Sequence, residues 1–471
     1  MATMKYLDFD LLLEHSEGAY LVRVLRSPGG EAKERFALPF SDQELGAFFL
    51  TLERLRRKIQ RLDLPELEEI KAFGGRLFEA AFQKKVRACL QSSLAHAEAH
   101  NTGLRIRLRL NAPELADLPW EYLYNVEQNR FLALCVETPL VRYLEISQTI
   151  QPLEVKPPLK ILVMISNSND YPMLEVAQEW EKLHEALAPL EQRQLVTLER
   201  LEAATLEALQ RRLRQGPCHI FHFIGHGKFD ERTQNGMLLL EDEFKQGHRV
   251  SGRYLGTILH NHQPLRLAVL NACEGARTSR LNPFAGAAQD LVHQGIPAIV
   301  AMQSEITDTA AITFSNTFYA AMADNYPVDA ALVEARTAIY SQGNEVEWGT
   351  PVLYMRAPDG RIFDVEKTLK RPVDPPTATP SVQEQSTRPS SVHAGQRHRL
   401  EQKVEALRQE WNLLSEKIKR LRAALAVETD VAVKFKLEQQ FQGEEGQLAQ
   451  LEVKPGFDSH RLKNNRQTPI Y

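Results

Sequence analysis

Between Leu159 and Asp364 short apolar, β-branched runs alternate with segments of helical spacing. The runs are LKILVMI, LVTLERL, CHIFHFIG, LRLAVLN, IPAIVAM and PVLYM. Each is apolar at successive positions, as a strand covered on both faces must be. Between them MLEVAQEWEKLHEAL, ATLEALQRRLRQ, GRYLGTILHNH, PFAGAAQDLVHQ and the long stretch from Asp308 to Gln342 carry helical periodicity. The alternation predicts an α/β fold with a mostly parallel sheet in three layers, entered through the Pro-marked link KPPLK. Ahead of the link, LDFDLLLEH, AYLVRVLRS and ERFALPF read as a small antiparallel meander turning at Gly29 and Gly30. From Asp42 to Ala97 the spacing is helical, with Asp42 as N-cap and Leu50, Leu52, Leu55 and Ile59 on neighbouring turns. LRIRLRL, from Leu104 to Leu110, alternates with period two and predicts a strand with one apolar face. Trp120, Tyr122 and Tyr124 in DLPWEYLYN read as packing aromatics.

The far end obeys different rules. Residues 367–396 include PVDPPTATPSVQEQSTRPSSVHAGQ, which has almost nothing to bury and reads as a disordered linker. Beyond it Leu400, Val404, Leu407, Trp411, Leu414, Ile418, Leu421 and Leu425 recur at alternating steps of four and three, a coiled-coil seam. The pattern breaks at Thr429 and Asp430 and resumes with Val433, Leu437, Phe441, Leu448 and Leu451, which predicts a helical hairpin over 397–455 and a tail over 456–471. The chain therefore divides into an α+β region (1–155), an α/β domain (156–366), linker, hairpin and tail.

Composition narrows the function classes. The 471 residues are 43% hydrophobic and 25% charged, enough for two or three ordinary soluble domains. With 57 Lys and Arg against 61 Asp and Glu the formal charge is −4, so no global field draws the chain to nucleic acid or anionic lipid. Four cysteines, Cys89, Cys135, Cys218 and Cys273, lack zinc-ribbon pairing and the density of a disulfide scaffold. Reduced thiols in the cytoplasm are the expectation. No apolar run approaches the roughly 20 residues that span a bilayer, and MATMKYLDFDLLLEH places acids where a signal peptide needs a basic flank.

Two strand ends carry the candidate chemistry. CHIFHFIGHGKF runs into Gly225-His226-Gly227, and LRLAVLNACEGA into Asn271-Ala272-Cys273-Glu274-Gly275. In open α/β sheets reactive groups gather at the carboxyl ends of strands. An imidazole of near-neutral pKa can convert a neighbouring thiol to thiolate, so His226 and Cys273 fit as base and nucleophile. The flanking glycines permit close backbone approach, and the amides of Gly227 and Cys273 suit an oxyanion. His219, His222 and His226 do not suit a metal: four residues of strand span about 13 Å, and His222 reads as packed in the sheet. HExxH, GxxxxGK[ST] and GxSxG are all missing.

HIFHFIGHGKFD, GMLLLED, LAVLNACEGA, FAGAAQDLVHQGIPAIVAMQSEITDTAA and VDAALVEARTAI together resemble a CHAT domain, over roughly residues 159–360. The resemblance implies a caspase-like cysteine peptidase fold and His226 with Cys273 as the dyad. LRIRLRLNAPELADLPWEYLY resembles the region preceding CHAT domains, described as a degenerate caspase-like half, while tandem TPR repeats are missing. The hairpin resembles interaction modules of bacterial conflict and signalling effectors. The resemblance further implies cofactor-free cleavage of a protein or peptide substrate, with Met302, Gln303, Ser304, Glu305 and Asp308 near the pocket for the residue preceding the cut. Asp308 also suits a helix N-terminus, and Asp242 with Glu243 reads as a wet hairpin edge. The leading expectation is a cysteine endopeptidase, a regulated effector recruited by a helical partner or by self-association through 397–455. The competing ones are a catalytically idle scaffold and a self-processing switch cut within 371–396.

Overall fold

The computed structural model of the protein describes residues 5–16, 18–56, 64–146, 150–171, 176–230, 235–272 and 284–366. The expected linker, coiled-coil hairpin and tail, 367–471, lie outside the described residues, as does Cys273.

In chain order the first part holds β1 (Tyr6–Ser16), β2 (Ala19–Arg26), β3 (Ala32–Phe36), α1 (Asp42–Arg56), α2 (Leu64–Ala81), α3 (Lys84–Ala99), β4 (Gly103–Leu110) and α4 (Pro113–Ala116). Short strands come next: β5 (Tyr124–Asn125), β6 (Arg130–Phe131), β7 (Leu140–Tyr143) and β8 (Leu153–Val155). The second part runs β9 (Leu159–Ile165), α5 (Val176–Gln192), β10 (Val196–Arg200), α6 (Leu206–Arg214), β11 (Ile220–Gly225), β12 (Gly227–Asp230), β13 (Asn235–Glu241) and β14 (Gly247–Ser251). It closes with α7 (Gly252–His260), β15 (Leu267–Ala272), α8 (Ala285–His293), β16 (Ala298–Met302), α9 (Asp308–Ala323), α10 (Val328–Ser341), β17 (Pro351–Met355) and β18 (Phe363–Val365).

One sheet takes strands from both parts, in the order β10-β9-β11-β15-β16-β17-β7-β4-β1-β2-β3. Two parallel blocks meet in it. β10, β9, β11, β15 and β16 run together, and β17, β7, β4 and β1 run together the other way. The antiparallel pair β16–β17 is the seam. The expected meander is present as β1–β2–β3.

The apolar runs explain the layers. Ile161, Val163 and Ile165 of β9 and Ile220 and Ile224 of β11 join one core with Leu183, Leu187 and Phe318 from α5 and α9. Their alternates Leu162, Met164, Phe221 and Phe223 join a second core with Leu209, Leu255 and Leu291 from α6, α7 and α8. Burial on both faces is what continuous apolar strands require.

Three expectations change in detail. The stretch Asp308 to Gln342 is two helices, because Asn325 takes φ +68° and Pro327 has no N–H to continue a helix. The cap of α1 is Ser41, one residue earlier than Asp42: Ser41 and Glu44 bond each other's amides, Ser41 N to Glu44 Oε2 at 2.9 Å and Glu44 N to Ser41 Oγ at 3.3 Å, a capping box. The third correction concerns β4, whose polar face is buried as deeply as its apolar one: Arg105 is 2% exposed and Arg107 5%. β1 lies alongside in register, Asp8 opposite Arg105 and Asp10 opposite Arg107. Arg105 pairs with Asp8 at 3.1 Å and with Asp329 of α10 at 2.5 Å, and Arg107 pairs with Asp8 at 2.7 Å and Asp10 at 3.4 Å. Tyr122 is the packing residue expected, its hydroxyl donating to Val346 O at 2.7 Å and its ring 5.1 Å from that of Trp348.

Candidate active site

The carboxyl ends of β9, β11, β15 and β16 lie side by side at one edge of the sheet, since these strands are parallel neighbours. The register can be read residue by residue. Gly225, the last residue of β11, pairs with Ala272, the last of β15. The next residue is His226 in one case and Cys273, outside the described residues, in the other. Gly225 is needed for packing: a Cβ there would fall 2.7 Å from Phe223 Cζ. Gly227 opens β12 opposite Leu238.

His226 is 1% exposed, and its Nε2 is buried without a hydrogen-bond partner among the described residues. Burial lowers the imidazole pKa, so the ring is neutral near pH 7 and can accept a proton. Its backbone is held by Leu239 N, which donates to His226 O at 3.0 Å. The Tyr171 ring lies 5.8 Å away. The loop carrying that tyrosine is fastened to the hairpin β13–β14 by Asn167 N to Glu241 Oε1 at 2.8 Å, Asn169 N to Lys245 O at 2.8 Å and Gly247 N to Asp170 Oδ1 at 2.7 Å. Asp242 accepts from Phe244 N and Gln246 N and so shapes the turn of that hairpin.

The stretch after β16 is braced against the chain leading into β17. Met302 is buried and pairs with Pro351. Gln303 N donates to Thr350 O at 3.0 Å and its Nε2 to Gly349 O at 2.7 Å, while Ser304 Oγ is 3.3 Å from Thr350 Oγ1. Glu305 O accepts from Arg56 at 2.5 Å. Asp308 begins α9 and pairs with Lys182 of α5 at 2.7 Å, a lysine that also holds Glu179 at 2.9 Å. Beside them a narrow cavity of about 30 Å³ is lined by His222, Asn271, Ile306 and the Glu179–Lys182–Asp308 trio. Of the five residues expected near a substrate pocket, Asp308 lines this cavity.

Two other histidines have structural partners. His222 Nδ1 lies 2.7 Å from Tyr319 Oη, and burial pushes its pKa down to about 3. His219 Nδ1 accepts from Lys160 N at 2.9 Å, with a pKa lowered to about 4 by burial first and Lys160 second. The thiols of Cys89, Cys135 and Cys218 are raised by burial, Cys218 to about 12, and none of these three is activated. Among the described residues no three His, Cys, Asp or Glu are grouped to hold a metal ion, and no helix is long and apolar enough to cross a membrane.

A family model for the CHAT domain matches residues 71–397, more than half of the chain. The chain belongs to the CHAT domain family. The match opens inside α2 and so takes in β4 and β7 as well as the strands that carry the site. No curated protein matches the chain. Among solved structures, separase from Saccharomyces cerevisiae in complex with securin is 12% identical, covering 74% of this CHAT chain and 30% of the separase chain, at TM-score 0.39. The Arg-specific cysteine proteinase gingipain R is 11% identical over 68% of this chain and 75% of its own, at TM-score 0.35. The Drosophila initiator caspase Dronc is 11% identical over 47% and 94%, at TM-score 0.27.

Sequence reasoning passed over two features of this CHAT site. Asn271 Oδ1 is buried and without a hydrogen-bond partner among the described residues, and Asn271 lines the cavity on the same strand that leads to Cys273. A polar residue inside the run LRLAVLNA was the available signal. Glu347 is the second: its two carboxylate oxygens take Thr307 N and Thr307 Oγ1, both at 2.6 Å, and so fix the start of α9. It lies 40 residues from its partner, where no local pattern reveals it.

Proposed function

We propose that this CHAT protein is a cysteine endopeptidase. Cys273 Sγ, as thiolate, attacks the carbonyl carbon of a peptide bond after its proton passes to the imidazole of His226. The amides of Gly227 and Cys273 hold the oxyanion, His226 returns the proton to the departing amine, and water then hydrolyses the thioester, with His226 as base. No cofactor enters that sequence. The observation that carries the reading is the pairing of Gly225 with Ala272, because neighbouring parallel strands lie about 4.8 Å apart and the next residue along each is a member of the dyad. The buried, partnerless Nε2 of His226 supports it, since a neutral ring nitrogen with nothing to bond among the described residues is held ready for a donor.

The cavity bordered by Lys182 and Asn271 is the pocket for the side chain that precedes the cut in this reading. Its buried acceptor, Asn271 Oδ1, selects a side chain with a hydrogen-bond donor, and Lys182 has to move aside for anything longer than about two waters. In this reading residues 397–455 recruit a helical partner or a second copy, and the protein serves as a regulated cytoplasmic effector in prokaryotic defence or signalling.

A cysteine-directed acyl probe tests the chemistry. Labelling of the wild type and not of Cys273→Ala or His226→Ala is expected, and equal labelling of all three leaves only a docking role. New protein termini produced by wild type and not by Cys273→Ala identify the residue before the cut. Deleting 397–455 is expected to lose the partner and keep peptide cleavage.

A further inference from the structure

The opposite edge of the sheet has a different character. Leu265 and Arg266 lead into β15, Ile296 and Pro297 into β16, and Arg356 comes directly after β17, so these residues sit a strand length, about 20 Å, from the carboxyl ends that carry His226. A cavity of about 260 Å³ opens there, lined by His260, His262, Arg266, Gly295 and Arg356 among others. Its described lining contains no carboxylate. Arg356 is 5% exposed. Arg266 donates from Nη1 to Gln263 O at 2.7 Å, and its Nε is buried with no hydrogen-bond partner among the described residues. His262 Nε2 accepts from Cys218 N at 2.9 Å, which leaves the proton of the neutral ring on Nδ1 as a further donor. Gly295, at φ +112°, gives His260 its place: a Cβ would stand 2.5 Å from the ring nitrogen Nδ1.

Arg105 faces Asp329 and Arg142 faces Glu121 at 2.8 Å, whereas the fully buried Arg336 donates to a carbonyl, Pro351 O, at 2.6 Å. Here the Arg266 guanidinium borders, with Arg356, a cavity whose described lining supplies only neutral and basic groups, and burial lowers the pKa of Arg266. The buried Nε of Arg266 adds a donor still to be satisfied, and an anion in the cavity completes such an arrangement. Guanidinium forks match phosphate oxygens in geometry as well as charge. A chain of formal charge −4 offers no field for a long polyanion, so the occupant is small.

We infer that this cavity is a binding site for a small polyphosphate anion, either inorganic tripolyphosphate or the triphosphate of a nucleotide, remote from the peptidase site and independent of its chemistry. Calorimetric titration of the full chain with tripolyphosphate and, separately, with ATP tests it. Wild type is expected to bind, Arg266→Gln to bind at least about tenfold more weakly with an unchanged circular dichroism spectrum, and Arg266→Lys to recover part of the loss. Tighter binding of ATP than of tripolyphosphate makes a nucleotide the occupant, and equal binding makes it the phosphate chain alone. Both results support the site. No binding by wild type, or equal binding by wild type and Arg266→Gln, overturns it. If Arg266→Gln does not fold, arginine modification of the wild type decides: tripolyphosphate is expected to protect Arg266, and modification at an undiminished rate overturns the site. The readout is binding, so an inactive dyad leaves it untouched.

Discussion

The two parallel blocks of the sheet handle polar residues in opposite ways. In the block β17-β7-β4-β1 the charges sit in mid-strand and answer one another: Asp8 and Asp10 on β1 face Arg105 and Arg107 on β4, and Asp329 closes the row from α10. In the block β10-β9-β11-β15-β16 the inner strands β9, β11, β15 and β16 are mostly apolar, and besides His222 Nε2 in mid-strand of β11, buried polar atoms without a hydrogen-bond partner lie at the carboxyl ends. Ser166 Oγ, His226 Nε2 and Asn271 Oδ1 are all buried there with no hydrogen bond among the described residues. A satisfied polar group lowers the free energy of the fold, whereas an unsatisfied one costs about 1–3 kcal/mol and persists where something else retains it. The first block pairs its charges across strands, although Arg107 Nε, Arg109 Nε and Asp329 Oδ1 have no hydrogen-bond partner among the described residues, and in the proposed function the second block's unpartnered atoms are a reserve that awaits a ligand. Their polar residues should therefore fail in different assays.

The largest separation is expected at the proposed dyad. Cys273→Ala or His226→Ala should lower peptide hydrolysis by about 10⁴-fold or more, because nucleophile and base act as a unit. The thermal midpoint should stay close to wild type, since neither change removes a described structural partner of the sheet. Hydrolysis surviving Cys273→Ala, or a collapse of stability in His226→Ala, would erase the contrast between the blocks.

The reverse behaviour is expected across the seam. Asp329→Ala leaves Arg105 buried at 2% exposure beside a lost partner, and breaking such a pair from one side typically costs about 3–5 kcal/mol. Urea denaturation should show that loss, with kcat/KM of the remaining folded fraction unchanged. Replacing Asp329 and Arg105 together by Leu and Met should recover much of it. A single change that unfolds nothing means that the row of charges is ornamental.

How far the sequence revealed this contrast depends on the distance over which each signal acts. Strands such as CHIFHFIG and LRLAVLN were readable because burial on both faces leaves a continuous apolar run, and His226 and Cys273 stood out as candidates because each comes at the end of such a run. The alternation LRIRLRL looked like one wet face and one dry one, because its partners Asp8 and Asp10 stand 97 residues away in the chain. The same limit hid Glu347, whose work is done on Thr307. Cys273 lies outside the described residues, and the register between β11 and β15 relates to His226 only the strand that leads to it.

Acid sharpens the comparison further. His219 and His222 both belong to the second block, with pKa values lowered to about 4 and about 3 from 6.5, chiefly by burial. Below pH 6.5 the unfolded chain takes up protons that the folded chain refuses, so stability falls as pH falls, by up to about 1.4 kcal/mol per pH unit for each histidine until its folded pKa is reached. The carboxyl of Asp8 moves the other way: burial raises its pKa, so it binds its proton earlier in the folded state and offsets part of the loss at lower pH. Hydrogen exchange at about pH 5 should accordingly release β11 before β4. Release of β4 first would place the acid-sensitive element in the wrong block.

The smallest expected effect tests the idea of a reserve most directly. Asn271 is 7% exposed, and its Oδ1 has no hydrogen-bond partner among the described residues. Asn271→Leu removes that unmet acceptor and adds apolar contact with Ile306 in the cavity it lines, so the variant should be more stable than wild type, by about 1 kcal/mol. Stability gained at a site that binds substrate is gained at the expense of the ligand it was shaped for. The same variant should lose about tenfold in kcat/KM against the peptide wild type prefers, with the loss in KM or kcat showing whether Asn271 grips the substrate before or during the reaction. A variant both less stable and fully active would mean that Asn271 is bonded in the folded protein and that the second block holds nothing in reserve.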